Sequence, residues 1–283
     1  MPSVTGEMTA EFAVRRGLTQ LVRNYHASPL KIAKTFRFEN ETLGTDDVAE
    51  QLGVYIMDCS PGLMAGDHYE INVRLQEGAR VFLTNQSFTK VHPALHGAGC
   101  TQRQTLQLAP GALLEYMPEP LMLYKDARLH ADMEVYLAPG AALILSDILC
   151  PGRTQRGEVF QYTSLRNRMK VWYDDELIYY QNQQIEPQSM QLQAAGCWGQ
   201  DTHLGSLYVF SDRLGQRHLD DLQEQLDELR DVRVRSGASM GYKHGLIVTM
   251  MGTSAWELQH GITYAWRCIR QSLFAWCPLH VHK

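Results

Sequence analysis

Three Gly-Ala pairs, Gly78-Ala79, Gly111-Ala112 and Gly140-Ala141, sit inside one recurring apolar frame, and that frame leaves the chain few ways to fold. Three residues before each glycine stands Leu75, Leu108 or Leu137, and five before stands Val73, Leu106 or Val135. Three residues after come Val81, Leu114 or Leu143, and five after come Leu83, Tyr116 or Leu145. A period of two puts alternate side chains on one face of a pleated strand, so each copy reads as strand, glycine turn, strand, with one face buried. Two of the turns are written Ala-Pro-Gly-Ala, where proline presets φ and glycine supplies φ > 0. The first copy, Asp67 to Val91, cannot bury its own apolar face; copies recurring about every thirty residues bury it against one another. The pattern predicts a mainly β protein, a layered right-handed β-helix-like body of stacked hairpins.

The flanking sequence fits that body. Residues 9–38 alternate apolar and polar in runs broken by Gly17 and Ser28-Pro29, which predicts two or three strands, and residues 39–51 read as a polar loop. Around Asp174-Asp175-Glu176, Val171 and Tyr173 face Leu177 and Tyr179 as a hairpin, and Gly205 to Asp212 is a further strand. Two helices come late. Leu219, Leu222, Leu226 and Leu229 form one apolar stripe; Leu258, Ile262, Trp266, Ile269 and Leu273 form another, with Ser254 and Glu257 at capping-box spacing. A strand, GLIVTMM, lies between them. No linker divides the chain, so the expectation is one domain over 1–283, with a β body at about 10–212 and a helix-strand-helix part at about 216–276.

Composition excludes several functions. A net charge of −5 and a pI near 6.1 argue against a nucleic-acid binder. Six cysteines without a CxxC pair write neither a zinc ribbon nor a thioredoxin-like motif. The first residues lack the apolar core of a signal peptide and no run is long enough to span a membrane, which places the protein in the cytoplasm. No GxSxG, phosphate loop, GxGxxG or HExxH is present, so no catalytic residue is assigned. Metal-ligand types recur twice: His92, His96 and Cys100 at four-residue intervals, and Cys277, His280 and His282 at the end of the chain. Pro93, Gly97 and Gly99 break any helix that would align the first set. Trp256, Trp266 and Trp276 in the last helical segment are candidate partner-binding residues, as aromatics are enriched at interfaces. Among the acids, Asp67, Glu115, Glu119, Asp147 and Glu158 lie at turns or strand ends; their plainest role is to cap those turns or pair with Arg128, Arg153 or Arg156.

Four blocks, SPGLMAGD (60–67), FLTNQSFTKVHP (82–93), LEYMPEPLMLYKDARL (114–129) and DILCPGRTQRGEVF (147–160), resemble the urease accessory protein family UreD, also called UreH. LTQLVRNYHASPLKI resembles its opening segment and GLIVTMMGTSAWELQHGITYAWRCIRQ its C-terminal one, although Met250-Met251-Gly252 stands where the family commonly has Arg followed by Leu-Gly. The resemblance implies an all-β layered body with two helices and a non-enzymatic chaperone for nickel insertion into urease. It implies partners: UreF, the GTPase UreG bridged through UreF, and the urease apoprotein, in a higher-order, dimeric complex. It implies no tightly bound cofactor, only nickel in transit through an internal tunnel. Gly66, Asp67, Thr89, Lys90, Glu119, Arg128, Gly152, Arg153, Gly157 and Glu158 fall on family motif positions. A path for nickel favours weakly held oxygen ligands, because a tight His/Cys site would trap the ion. On that ground Asp67, Glu119, Asp147 and Glu158 are the expected path, ahead of the histidines and Cys277. The rival reading is a β-helical carbohydrate- or ligand-binding module, or an enzyme, with a cleft of converging carboxylates and displaced pKa values.

Overall fold

The computed structural model describes residues 4–45, 47–94, 97–194, 196–229, 232–279 and 281. Its strands, in chain order, are β1 (Gly6–Arg15), β2 (Leu18–Ala27), β3 (Leu30–Glu41), β4 (Val48–Asp58), β5 (His68–Leu75), β6 (Arg80–Asn85), β7 (Thr89–Val91), β8 (Cys100–Leu108) and β9 (Leu113–Tyr116). They continue with β10 (Leu121–Leu123), β11 (Arg128–Leu137), β12 (Ala142–Cys150), β13 (Ser164–Tyr173), β14 (Glu176–Ile185), β15 (His203–Ser211), β16 (Val234–Met240) and β17 (Gly245–Gly252). Helix α1 (Gln216–Glu228) precedes β16 and α2 (Ala255–Phe274) follows β17.

The two arms of each repeat belong to different sheets. A seven-stranded sheet has the order β14-β13-β11-β8-β5-β1-β2, and a ten-stranded sheet runs β16-β17-β15-β12-β9-β6-β4-β3 with β7 and β10 joined to β12. Each copy therefore climbs one strand, turns at its glycine and descends in the facing sheet, and successive copies pair in parallel as the coils of a solenoid. The register is the one that the glycine alignment gives. Leu75 lies beside Leu108 and Leu108 beside Leu137, while across the core Val81, Leu114 and Leu143 form a second ladder. All six are buried. The turns stack too: Gly78, Gly111 and Gly140 have φ of 68°, 67° and 76°, and a Cβ on Gly140 would lie 3.6 Å from the backbone nitrogen of Gly111. A side chain there would meet both the left-handed backbone penalty and the turn below.

At either end the coils are completed by antiparallel hairpins. β1, β2 and β3 realise the strands expected in residues 9–38, and the loop between β3 and β4 is shorter than expected because β3 runs to Glu41 and β4 starts at Val48. Asp174 and Asp175, with φ of 46° and 64°, form the turn between β13 and β14, whereas Glu176 already belongs to β14 opposite Tyr173 and pairs with Lys243. The helices form a third layer. Leu219, Leu222 and Leu226 of α1 and Leu258, Ile262, Trp266, Ile269 and Leu273 of α2 share a core with Phe82, Ile144, Leu207 and Val209 of the ten-stranded sheet. Leu229 caps the end of α1. Ser254 occupies the N-cap of α2, but its hydroxyl makes no capping bond, and Glu257 instead accepts the backbone N–H of Arg233 at 3.2 Å.

Candidate functional site: a polar cavity between the sheets

Toward the glycine turns the space between the sheets is filled by the leucine ladders. Farther along the same strands it opens. A cavity of about 150 Å³ crosses the coils from Asp58 and Ser60 to Asp147, Gln181 and Tyr208. The parity of each strand explains its lining. On β8, Gln102 and Gln104 point the same way as Leu106 and Leu108; on β6, Asn85 continues Val81 and Leu83; on β12, Asp147 continues Leu143 and Leu145. Tyr69, Gln102, Ala131 and Asn167 lie side by side across four coils, as do Ile71, Gln104, Met133 and Met169. Polar groups thus replace apolar ones at equivalent heights of successive coils.

The acids on this wall are each held by neutral donors. Asn167 Nδ2 donates to Asp147 Oδ2 at 2.8 Å; burial raises the Asp147 pKa above the usual carboxylate value, and the bond from Asn167 partly opposes the rise. Tyr116 and Tyr208 are held well above the ordinary phenol value by burial, with the Asp147 charge adding to it. Glu119 accepts from the Gln259 side chain of α2 at 2.9 Å, and its own N–H donates to Asn85 Oδ1. Asp58 accepts from the Ser60 N–H and hydroxyl at 2.9 and 2.6 Å and from the Tyr69 hydroxyl at 3.2 Å. Past Asp147, Gln181 and Tyr208 a second recess of about 180 Å³ opens, bounded also by Gln183, Ser206 and Thr249. These shared wall residues make the two hollows neighbours, with Asp147 where they meet.

Of the four acids expected on a cation path, the cavity gathers Glu119 and Asp147, and Thr89 and Lys90 also line it. The other two take the plainer role. Asp67 accepts the Met64 N–H at 2.7 Å and closes the turn at Gly66, while burial and then its charge push the Cys100 thiol up to about 11. Glu158 pairs with Arg153, whose guanidinium lies 4.0 Å from the Tyr124 ring centroid; the bond from Arg153 holds the Glu158 carboxyl below its ordinary pKa. Gly152 at φ 134° lets this corner close, since a Cβ there would lie 2.2 Å from the Glu158 carbonyl oxygen. Gly157 ends the adjoining 3-10 turn and Arg128 is exposed at the start of β11.

The remaining candidates disperse. His92 Nε2 is 3.1 Å from the Pro61 carbonyl and its ring packs edge-on to Tyr124. Cys277 donates its backbone N–H to Glu41. His96, His280 and His282 lie outside the described residues. Among the described residues no three His, Cys, Asp or Glu side chains gather as a metal site. The tryptophans divide as well: Trp256 is 64% exposed, but Trp266 and Trp276 are buried, so neither offers a surface to a partner. Their place is in a network that the sequence does not display. Glu115 and Arg270 form a fully buried ion pair at 2.8 Å. Glu115 also accepts from Trp266 Nε1 at 2.9 Å and Gln51 Nε2 at 2.7 Å, and the guanidinium lies 5.2 Å from the ring centroids of both Trp266 and Trp276. The partner of Glu115 is thus Arg270, not Arg128, Arg153 or Arg156.

With this geometry in hand, comparison with known proteins settles the lineage. The model of the UreD urease accessory protein family matches residues 4–278. The chain belongs to this family. A relative described as urease accessory protein UreD in Lysinibacillus sphaericus (strain C3-41) is 35% identical over 223 residues, covering 79% of this chain and 80% of the relative. The protein of that description in Acetivibrio thermocellus is 33% identical over 246 residues, covering 87% and 90%. A third, in Lachnoclostridium phytofermentans, is 27% identical over the full length of both chains. The family's layered body, expected from the four sequence blocks, agrees with the stacked coils. No described helix is long and apolar enough to cross a membrane.

Proposed function

We propose that this urease accessory protein acts as a non-catalytic maturation chaperone, which joins UreF and the GTPase UreG to the urease apoprotein and conducts nickel through its interior. Membership of the UreD family supports the role in urease maturation. The observation that carries the route is the cavity, part apolar and part lined by side-chain oxygens, that crosses the stack and reaches Asp147. Its donors are carboxylates, side-chain amides and hydroxyls. Such groups bind a divalent cation less tightly than clustered imidazoles and thiolates, and a conducting wall requires binding that is weak enough to release.

Asp147 and Glu119 would hold the ion in passing. Nickel is cargo in this scheme, and the chain works in the cytoplasm as part of a larger, dimeric complex. The test is co-expression of Asp147→Asn and of Glu119→Gln with urease and its other accessory proteins. The nickel content of purified urease should fall severalfold while the accessory complex still co-purifies. Unchanged nickel content in both variants would exclude this route.

A further inference from the structure

The seven-stranded sheet ends at β14, and apart from one bulge at Ile178, near its start, that edge is unguarded. From Leu177 to Ile185 the strand carries no charge, proline or glycine. Other outer strands are protected: β3 carries Lys31, Lys34, Arg37, Glu39 and Glu41, β2 carries Arg23 in its middle, and β16 is short with Gly237 at its centre. Long uncharged edges are templates for another strand, and proteins ordinarily blunt them. A ledge lies beside this one. β14 sits over β15, with Tyr208 bonded to Gln181 at 2.8 Å, but the ten-stranded sheet continues outward through β17 and β16. Thr249 of β17 is exposed there, flanked on the same face by half-buried Ile247 and Met251. The recess beyond Asp147, walled by Gln183 and Thr249, opens in this step between the sheets.

We propose that an extended segment of a partner protein adds to β14 as an eighth strand, lies on the β17 ledge and lines the outer side of the recess. The inference rests on the conducting role proposed above. Charge selects the occupant. The neutral run is bounded by Asp174, Asp175 and Glu176, the last paired with Lys243, at one end and by Glu186 at the other. A second copy of β14 paired antiparallel about its centre would set Asp175 opposite Glu186 at both ends, and like charges directly opposite destabilise a sheet. The complementary strand is therefore foreign to this chain, uncharged over roughly eight residues and basic at its ends.

Hydrogen exchange on the full-length chain, alone and in the complex co-expressed with urease apoprotein and its accessory proteins, tests this. The backbone amides of 177–185 that point away from β13 should exchange at least ~10-fold more slowly in the complex. Tyr180→Lys and Gln184→Lys, at exposed side chains, should abolish that protection and lower the yield of complex without altering the melting of the free chain. A complex that forms with β14 exchanging as in the free chain overturns the strand addition and leaves the conducting role intact. Protection that rises with the concentration of the free chain alone means self-pairing and also overturns it. No complex at all refutes the shared premise and this inference together.

Discussion

The same coils are apolar between the sheets at one end and carry polar groups there at the other. Near the glycine turns, Leu75, Leu108 and Leu137 face Val81, Leu114 and Leu143; a few residues farther, the same strand faces present Gln102, Gln104, Asn85, Asn167 and Asp147 to a cavity. The ladders of the seven-stranded sheet run through both halves, whereas in the ten-stranded sheet β9 ends at Tyr116, so the pairing of β6 and β12 with β9 stops short of Asn85 and Asp147; the halves differ in side chains and in this interruption. Stability is concentrated in the first half and in the layer beneath α2, which frees the second half to carry polar groups whose packing does little for folding.

The comparison is broken most severely from outside the coils. Glu115→Ala strands the Arg270 guanidinium in the core and should cost about 3–5 kcal/mol, read as a fall in the urea midpoint at constant slope. A Glu115→Leu, Arg270→Met pair should recover much of that loss, because apolar groups of similar volume replace buried ion pairs well. Within the coils, Leu106→Ala should cost about 3 kcal/mol, whereas Met133→Ala, beside the existing cavity, should cost only about 1 kcal/mol. Equal losses at Leu106 and Met133 would mean that the two halves are packed alike. Smallest is Asp147→Asn, which should stabilise the protein. The raised pKa of Asp147 means that the folded state holds its proton more tightly than the unfolded one, so its contribution is complete below the unfolded value of about 4 and is lost as pH rises through the folded value. The gain from asparagine should therefore appear at neutral pH and vanish in acid. Stability profiles of both forms that run parallel from acid to neutral pH would show Asp147 to be ionised at no cost.

What the sequence displays follows from what repeats. The ladders, the stacked turns and the two amphipathic helices are legible because period two, glycine spacing and period 3.6 each leave a local trace. The cavity left a trace that composition hides: glutamine on a strand reads as a solvent-facing residue, yet Gln102 and Gln104 share parity with Leu106 and Leu108, which places them inside. Extending each ladder by two residues away from its glycine would have found Asn85 and Asp147 as well. Glu115 has the opposite parity to Leu114 and Tyr116, so it points toward the helices, but Arg270 stands 155 residues away and no local pattern joins them. Trp266 belongs to the same apolar stripe as Leu258, Ile262 and Ile269, and that periodicity, rather than residue type, foretold its burial.

Because the polar wall is assembled coil by coil, the stack is also a ruler. Neighbouring strands in a sheet stand about 4.8 Å apart, so a passage running across them can lengthen or shorten only in steps of that size, each step requiring a whole coil with its own glycine turn. Relatives with an added or missing coil would therefore differ in the distance between their two mouths by a fixed increment, and partners fitted to one length would not fit the next.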